Sequence, residues 1–112
     1  MVSALETTEP APHYVLRLYV TGNTPKTALA IANLQRICAD ELGGRYEMEV
    51  VDVLEHPELA EADKVLATPT LIKRLPPPLR RVIGDLSDRQ KVLFGLEVRP
   101  SAGAGAKHEG AP

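Results

Sequence analysis

The chain has 112 residues, 44% of them hydrophobic and 25% charged, with a formal net charge of −2. That length supports one domain with its own core, and the balance of charge argues against broad nucleic-acid binding, which needs a basic field to neutralise phosphates. A single cysteine, Cys38, excludes an intrachain disulfide, and neither a signal peptide nor an apolar run of membrane-spanning length is found, so a cytoplasmic protein is expected.

In chain order, residues 1–12, with Thr7-Thr8-Glu9-Pro10-Ala11-Pro12, read as a flexible lead, residues 13–99 as the domain and residues 100–112 as a disordered Gly/Ala-rich tail. Val15, Leu16, Leu18 and Val20 predict a first strand, apolar enough to be buried on both faces. A helix is predicted from Pro25 to Leu42, with Thr24 as its cap and Pro25 in its first turn. Ile31, Leu34, Cys38 and Leu42 define its core face, and Gly43-Gly44 stops it. A second strand follows over 46–54, then a short helix from Pro57 to about Val65.

A third strand is predicted over 70–74. The proline run 76–78 predicts a stiff, extended connection to a fourth strand at Arg80-Arg81-Val82-Ile83-Gly84. Ser87, with Gln90 three residues on, has a capping-box pattern, predicting a last helix from Asp88 to about Leu96. Gly95 interrupts Val92-Leu93-Phe94-Gly95-Leu96-Glu97-Val98. That run has strand-like as well as helical character, as expected of a segment with two competing packings. The order is βαβαββα. The first two strands are expected to be parallel and the last two to form an antiparallel hairpin.

No catalytic constellation is legible, so a non-enzymatic protein without cofactor or metal is expected. Cys38 falls on the apolar face of a helix, with Leu34 and Leu42, which suits a small core residue rather than a nucleophile. His13, His56 and His108 have no metal-ligand spacing. Gly22-Asn23-Thr24-Pro25-Lys26 lacks the P-loop pattern. Glu55, Glu58, Glu61 and Asp63 read as a solvated face, with Glu58 and Glu61 favourably placed near a helix N-terminus. Lys73, Arg74, Arg80 and Arg81 bracket the proline run and form a candidate basic patch at the hairpin end. They serve either as charges that protect a sheet edge or as a contact for an acidic partner.

Two resemblances bear on these elements. The layout is similar to a thioredoxin-like domain, with Ala67-Thr68-Pro69-Thr70-Leu71 resembling the Thr-Pro segment before its third strand. The loop that carries Cys-x-x-Cys in thioredoxins is here Thr21-Gly22-Asn23-Thr24-Pro25. More specifically, the runs 19–25, 51–54, 57–71 and 75–89, including Leu75-Pro76-Pro77-Pro78-Leu79-Arg80-Arg81, resemble the KaiB family of circadian clock proteins across roughly residues 13–98. The resemblance implies a clock component that binds the N-terminal ATPase ring of hexameric KaiC. It also implies a metamorphic chain with two states: a self-associated dimer or tetramer with a βαββααβ fold, and a thioredoxin-like βαβαββα monomer that binds the ring.

By position, the KaiC-facing residues implied are Asn23, Glu55, His56, Pro57, Glu58, Asp63 and Lys64. The fold-switch positions implied are Pro69, Gly95 and Glu97. KaiA or a histidine kinase are the secondary partners implied. The chain departs from the family pattern at Glu47 and Glu49, where KaiA would dock, at Pro100, which replaces a usual Tyr, and in its Gly/Ala tail. The competing readings are a KaiB-like sensor domain of a histidine kinase pathway and, as an enzyme, a thiol oxidoreductase working through Cys38.

Overall fold

A computed structural model describes residues 13–98. The expected lead 1–12 and tail 100–112, and Arg99 at the expected domain boundary, lie outside the described residues. The order is β1 (Tyr14–Val20), α1 (Pro25–Leu42), β2 (Tyr46–Asp52), α2 (Pro57–Ala62), β3 (Thr70–Leu75), β4 (Arg80–Ile83) and α3 (Arg89–Leu96). One sheet runs β2-β1-β3-β4. β1 is parallel to β2 and antiparallel to β3, and β3 is antiparallel to β4. This is the expected thioredoxin-like βαβαββα fold.

The sheet divides the core unequally. Alternation along β1 sends Tyr14, Leu16, Leu18 and Val20 to one face, where they meet Ala30, Leu34, Ile37, Cys38 and Leu42 of α1 and Val92 and Leu96 of α3. Ile31 packs against this cluster but is only partly buried. The other face has a much smaller core. Among the described residues, its buried apolar side chains are Tyr19, Val51 and Ile72, under the partly buried Val53, Leu59, Ala60 and Val65. The six-residue α2 covers this face without one fully buried side chain of its own.

Local chemistry sets the element ends. The Thr24 hydroxyl accepts from the Thr27 N–H at 3.2 Å and opens α1, and Gly43 closes it in the left-handed region at φ 57°. β2 ends at Asp52, two residues before the expected Leu54, because the Asp52 carboxylate accepts from the Leu54 N–H at 2.9 Å and from the Gly22 N–H at 3.0 Å. This side-chain turn replaces the ladder. α2 stops at Ala62 instead of Val65, since Lys64 takes a left-handed φ of 53°. The proline connection bends rather than extends. The cap of α3 is Asp88, whose carboxylate accepts from the Lys91 N–H at 3.2 Å. Ser87 instead donates its N–H to Asp85 at 3.0 Å, so the capping box predicted from Ser87 does not form.

The segment with dual character is helical here, and Gly95 lies inside α3. Its backbone is not in the left-handed region, so angle is not what glycine supplies. It supplies space: a Cβ at this position would stand 2.7 Å from Val82 Cγ2 of β4. Gly95→Ala is therefore expected to destabilise this fold by about 1–3 kcal/mol despite alanine's better helix propensity. Denaturant titration of Gly95→Ala, Val82→Ala and the double variant checks this. The double variant should recover part of the loss, and additive losses would show that the two positions do not compete for the same space.

Candidate interaction surface

The polar centre of the smaller core is Asp63. Arg17 and Tyr19 are two residues apart on β1 and so face the same side, towards α2. The Tyr19 hydroxyl donates to Asp63 Oδ2 at 2.5 Å and lies 3.1 Å from the Leu59 carbonyl. Arg74 of β3 donates to the same carboxylate oxygen at 3.1 Å, and Arg17 reaches it at 3.4 Å. Arg17 also holds Glu49 of β2 at 3.0 Å. Arg81 of β4 donates to the Asp63 carbonyl at 2.7 Å and the Lys64 carbonyl at 3.2 Å, a cation at the C-terminal end of α2 where the helix dipole favours one. Groups on three strands thus converge on the end of one short helix, and Glu49 joins β2 to them through Arg17.

Asp63 is mostly removed from water, with a side chain 17% exposed. Burial alone favours its neutral form, but the hydrogen bond from Tyr19 and the charges of Arg74 and Arg17 outweigh it and hold the carboxyl below its ordinary value. Burial and the bond to Asp63 in turn push the Tyr19 phenol up.

Around this tie the predicted KaiC-facing residues fall into two sets. Asn23, Glu55, His56, Pro57, Glu58 and Lys64 are exposed, whereas Asp63 is drawn inward. Asn23 is brought to the others by the turn before it. Gly22 takes the left-handed φ of 69° that this turn needs, and the Asp52 carboxylate accepts from the N–H groups of both Gly22 and Leu54. Between this turn and α2 runs a groove of about 760 Å³ lined by Val53, Pro57, Ala60, Val65, Ala67 and Thr68 among others. Leu66 also lines it and is 95% exposed, and Leu54, the residue after the lining Val53, is 68% exposed. Neither leucine is assigned a contact role from sequence, although both are large apolar residues next to the charged run singled out there.

The four basic hairpin residues are not brought to one surface. Lys73 pairs with Arg80 in register, and Ile72 with Arg81. Lys73 and Arg80 therefore share the α1/α3 face, while Arg74 and Arg81 face α2. Lys73 is 1% exposed, and Arg80 is held by Glu97 at 2.8 Å. Of the predicted fold-switch positions, Glu97 closes α3 in the left-handed region. Pro69 follows a cis peptide bond and accepts from the Gly84 N–H at 2.9 Å. With Gly95 they meet β4 or its edges, but they form no single cluster.

Cys38 is buried, and burial pushes its thiol up to about 12. A thiolate nucleophile at neutral pH is incompatible with that value. Among the described residues, no group of three or more His, Cys, Asp and Glu side chains is placed to hold a metal ion, and no helix is long and apolar enough to cross a membrane.

Comparison with known proteins identifies the family. A family model for the KaiB domain matches residues 17–98. The circadian clock protein KaiB3 of Synechocystis sp. is 57% identical over 86 residues, covering 77% of this chain and 84% of that protein. The circadian clock oscillator protein KaiB of Rippkaea orientalis is 60% identical over 85 residues, covering 76% of this chain and 82% of that protein. Among solved structures, the N-terminal domain of Synechococcus elongatus SasA is similar with a TM-score of 0.64 at 24% identity, covering 83% of this chain and 90% of that one. Mitochondrial thioredoxin 3 of Saccharomyces cerevisiae gives 0.60 at 16% identity, covering 75% and 76%. At such identities these two likenesses establish the fold alone.

The Asp63 tie makes a pH-dependent prediction. Its lowered folded value means that its contribution is complete above the unfolded value of 3.8 and is lost as pH falls through the folded one. Asp63→Asn should cost about 1–3 kcal/mol at neutral pH and flatten the acid limb of the stability curve. Denaturant titrations of both proteins across the acid range check it, and an unchanged acid limb would contradict it. From sequence and structure together, this chain belongs to the KaiB family of circadian clock proteins.

Proposed function

We propose that this chain is a non-enzymatic cytoplasmic clock component that binds the N-terminal ATPase ring of a hexameric KaiC and modulates its phosphorylation and ATPase cycle. The observation that carries the reading is the surface around α2. An apolar groove lined by the strongly exposed Leu66 lies beside the exposed Asn23, Leu54, Glu55, His56, Pro57, Glu58 and Lys64. Exposed apolar area rimmed by charge is a protein-contact signature. Family membership supplies the partner, since the relatives at 57–60% identity are clock proteins by name.

Binding proceeds by population shift. The free chain favours a self-associated dimer or tetramer with the second half rearranged, and the ring selects the βαβαββα monomer. The small core beneath α2 supports this, because little apolar burial is lost when that half repacks. Glu47 and Glu49 lie on the outer strand β2, and both are exposed. They make KaiA a weaker candidate partner than KaiC.

Native mass spectrometry of the chain mixed with a KaiC-type hexamer and ATP, followed over hours, tests the proposal. Rings carrying several copies should appear slowly, and Leu66→Asp should weaken the complex about tenfold or more, near 1.4 kcal/mol, while leaving the circular dichroism of the free chain unchanged. An intact, active ring that takes up no copies would overturn the reading in favour of a detached sensor module of a histidine kinase pathway. Equal binding by Leu66→Asp would remove the groove from the interface.

A further inference from the structure

The sheet ends at β4, and the outer edge of that strand is open. Thr70 stands opposite Ile83, and the Gly84 N–H donates to the Pro69 carbonyl at 2.9 Å. Pro69 and Gly84 are therefore a hydrogen-bonded pair in the same register. Such pairs alternate with non-bonded ones in an antiparallel ladder. Val82 and Arg80 then take the bonded positions, opposite Leu71 and Lys73. The N–H and C=O groups of Arg81 and Ile83 point away from β3. Among the described residues, no backbone bond outside the ladder reaches them. Two donors and two acceptors thus stand in line along an exposed strand.

The side chains at this edge select what can add to it. Ile83 is 52% exposed. Arg81, exposed on the α2 face, donates to the neutral carbonyls of Asp63 and Lys64. Lys91 of α3 is also exposed and lines a small cavity with Val82 and Ile83, which sets a second cation beside the edge on the α1/α3 face. Among the described residues, neither cation has a carboxylate partner. Asp85 and Asp88 lie just beyond the strand, but their carboxylates are engaged by the Ser87 and Lys91 N–H groups. The other edge of the sheet, β2, carries the exposed Glu47 and Glu49. Charge on a short edge strand discourages neutral and like-charged strands from pairing with it. It leaves an acidic strand attracted to β4 and repelled from β2.

We propose that β4 is the docking edge for an acidic, extended segment of a partner protein, which adds to the sheet as a fifth strand. Successive residues of a strand face opposite sides. Two consecutive acidic residues therefore send one carboxylate to Arg81 and the other to Lys91, and a neighbouring apolar residue covers Ile83. Main-chain bonds supply the affinity and the side chains the selectivity. The edge belongs to the fold described above and does not rest on ring binding.

The probe is the peptide acetyl-Thr-Val-Glu-Glu-Val-Thr-amide. In a ¹H–¹⁵N titration of the full chain, read from the resonances of this fold, the Arg81 and Ile83 amides should move downfield and exchange more slowly with solvent. A dissociation constant of about 1 mM is expected for so short a strand. The β2 amides should stay in place, and a control peptide with lysines for the two glutamates should not bind. Lys91→Glu should weaken the acidic peptide about fivefold or more. Ile83→Pro removes an outward donor without touching the ladder and should weaken it about tenfold. Absence of shifts up to about 10 mM peptide, a bound on weak affinity, would overturn the proposal. So would equal binding of the lysine peptide, undiminished binding by Lys91→Glu, or shifts along β2 instead of β4. Concentration-dependent shifts of Arg81 and Ile83 without peptide would also overturn it, since they would assign the edge to a second copy of the chain.

Discussion

One carboxylate holds the second face of this protein in place. α2 has six residues, too few to be helical on propensity alone, and its cap residue His56 makes no capping side-chain bond. What fixes it is Asp63 at its end, gripped by Tyr19, Arg74 and Arg17, with Arg81 on the backbone carbonyls. Charged hydrogen bonds in a partly dry site are stronger than neutral ones and costly to leave half-made. The tie therefore anchors the end of α2, whose Pro57, Ala60 and Glu61 line the groove.

The unequal cores give this arrangement its meaning. The α1/α3 face has a continuous cluster running from Tyr14 to Leu96, and Arg89 adds a clamp from α3 to Asp40 and Glu41 of α1 at 2.7 and 3.0 Å. The α2 face relies on a cluster of three buried apolar side chains and a polar network. A segment held mostly by polar ties can exchange them for others with a small loss of apolar burial, as a chain with two packings requires. Gly95 adds a second constraint of the same kind, because its missing Cβ is what lets α3 lie against Val82. Both features sit in the half of the chain beyond β2, where the proposed rearrangement takes place.

The elements most legible in the sequence were those with strong periodicity or capping. β1, α1 with Thr24 and Gly43 at its ends, and the β3–β4 hairpin follow from local signals that the tertiary structure does not override. The reading failed where a residue's partner is far away in sequence. Asp63 looks like one more surface carboxylate until Arg17 and Tyr19, more than forty positions earlier, fold over it. The four hairpin cations look like one patch because sequence proximity hides the alternation that sends Lys73 and Arg80 to one face and Arg74 and Arg81 to the other. Gly95 was conspicuous, but its reason, a side chain on another element, was not available from the local pattern. The displaced cap at Asp88 is a smaller failure of the same type, since Asp85 had already engaged Ser87.

The central claim is that the ring binds the chain in the fold described here. Backbone chemical shifts of isotope-labelled protein, bound to an isolated N-terminal domain of a KaiC-type ATPase, test it most directly. The account requires helical shifts over 57–62 and 89–96 and strand shifts over 70–75 and 80–83 in the bound state. A bound chain whose residues beyond Asp52 show a different order of helices and strands would contradict it.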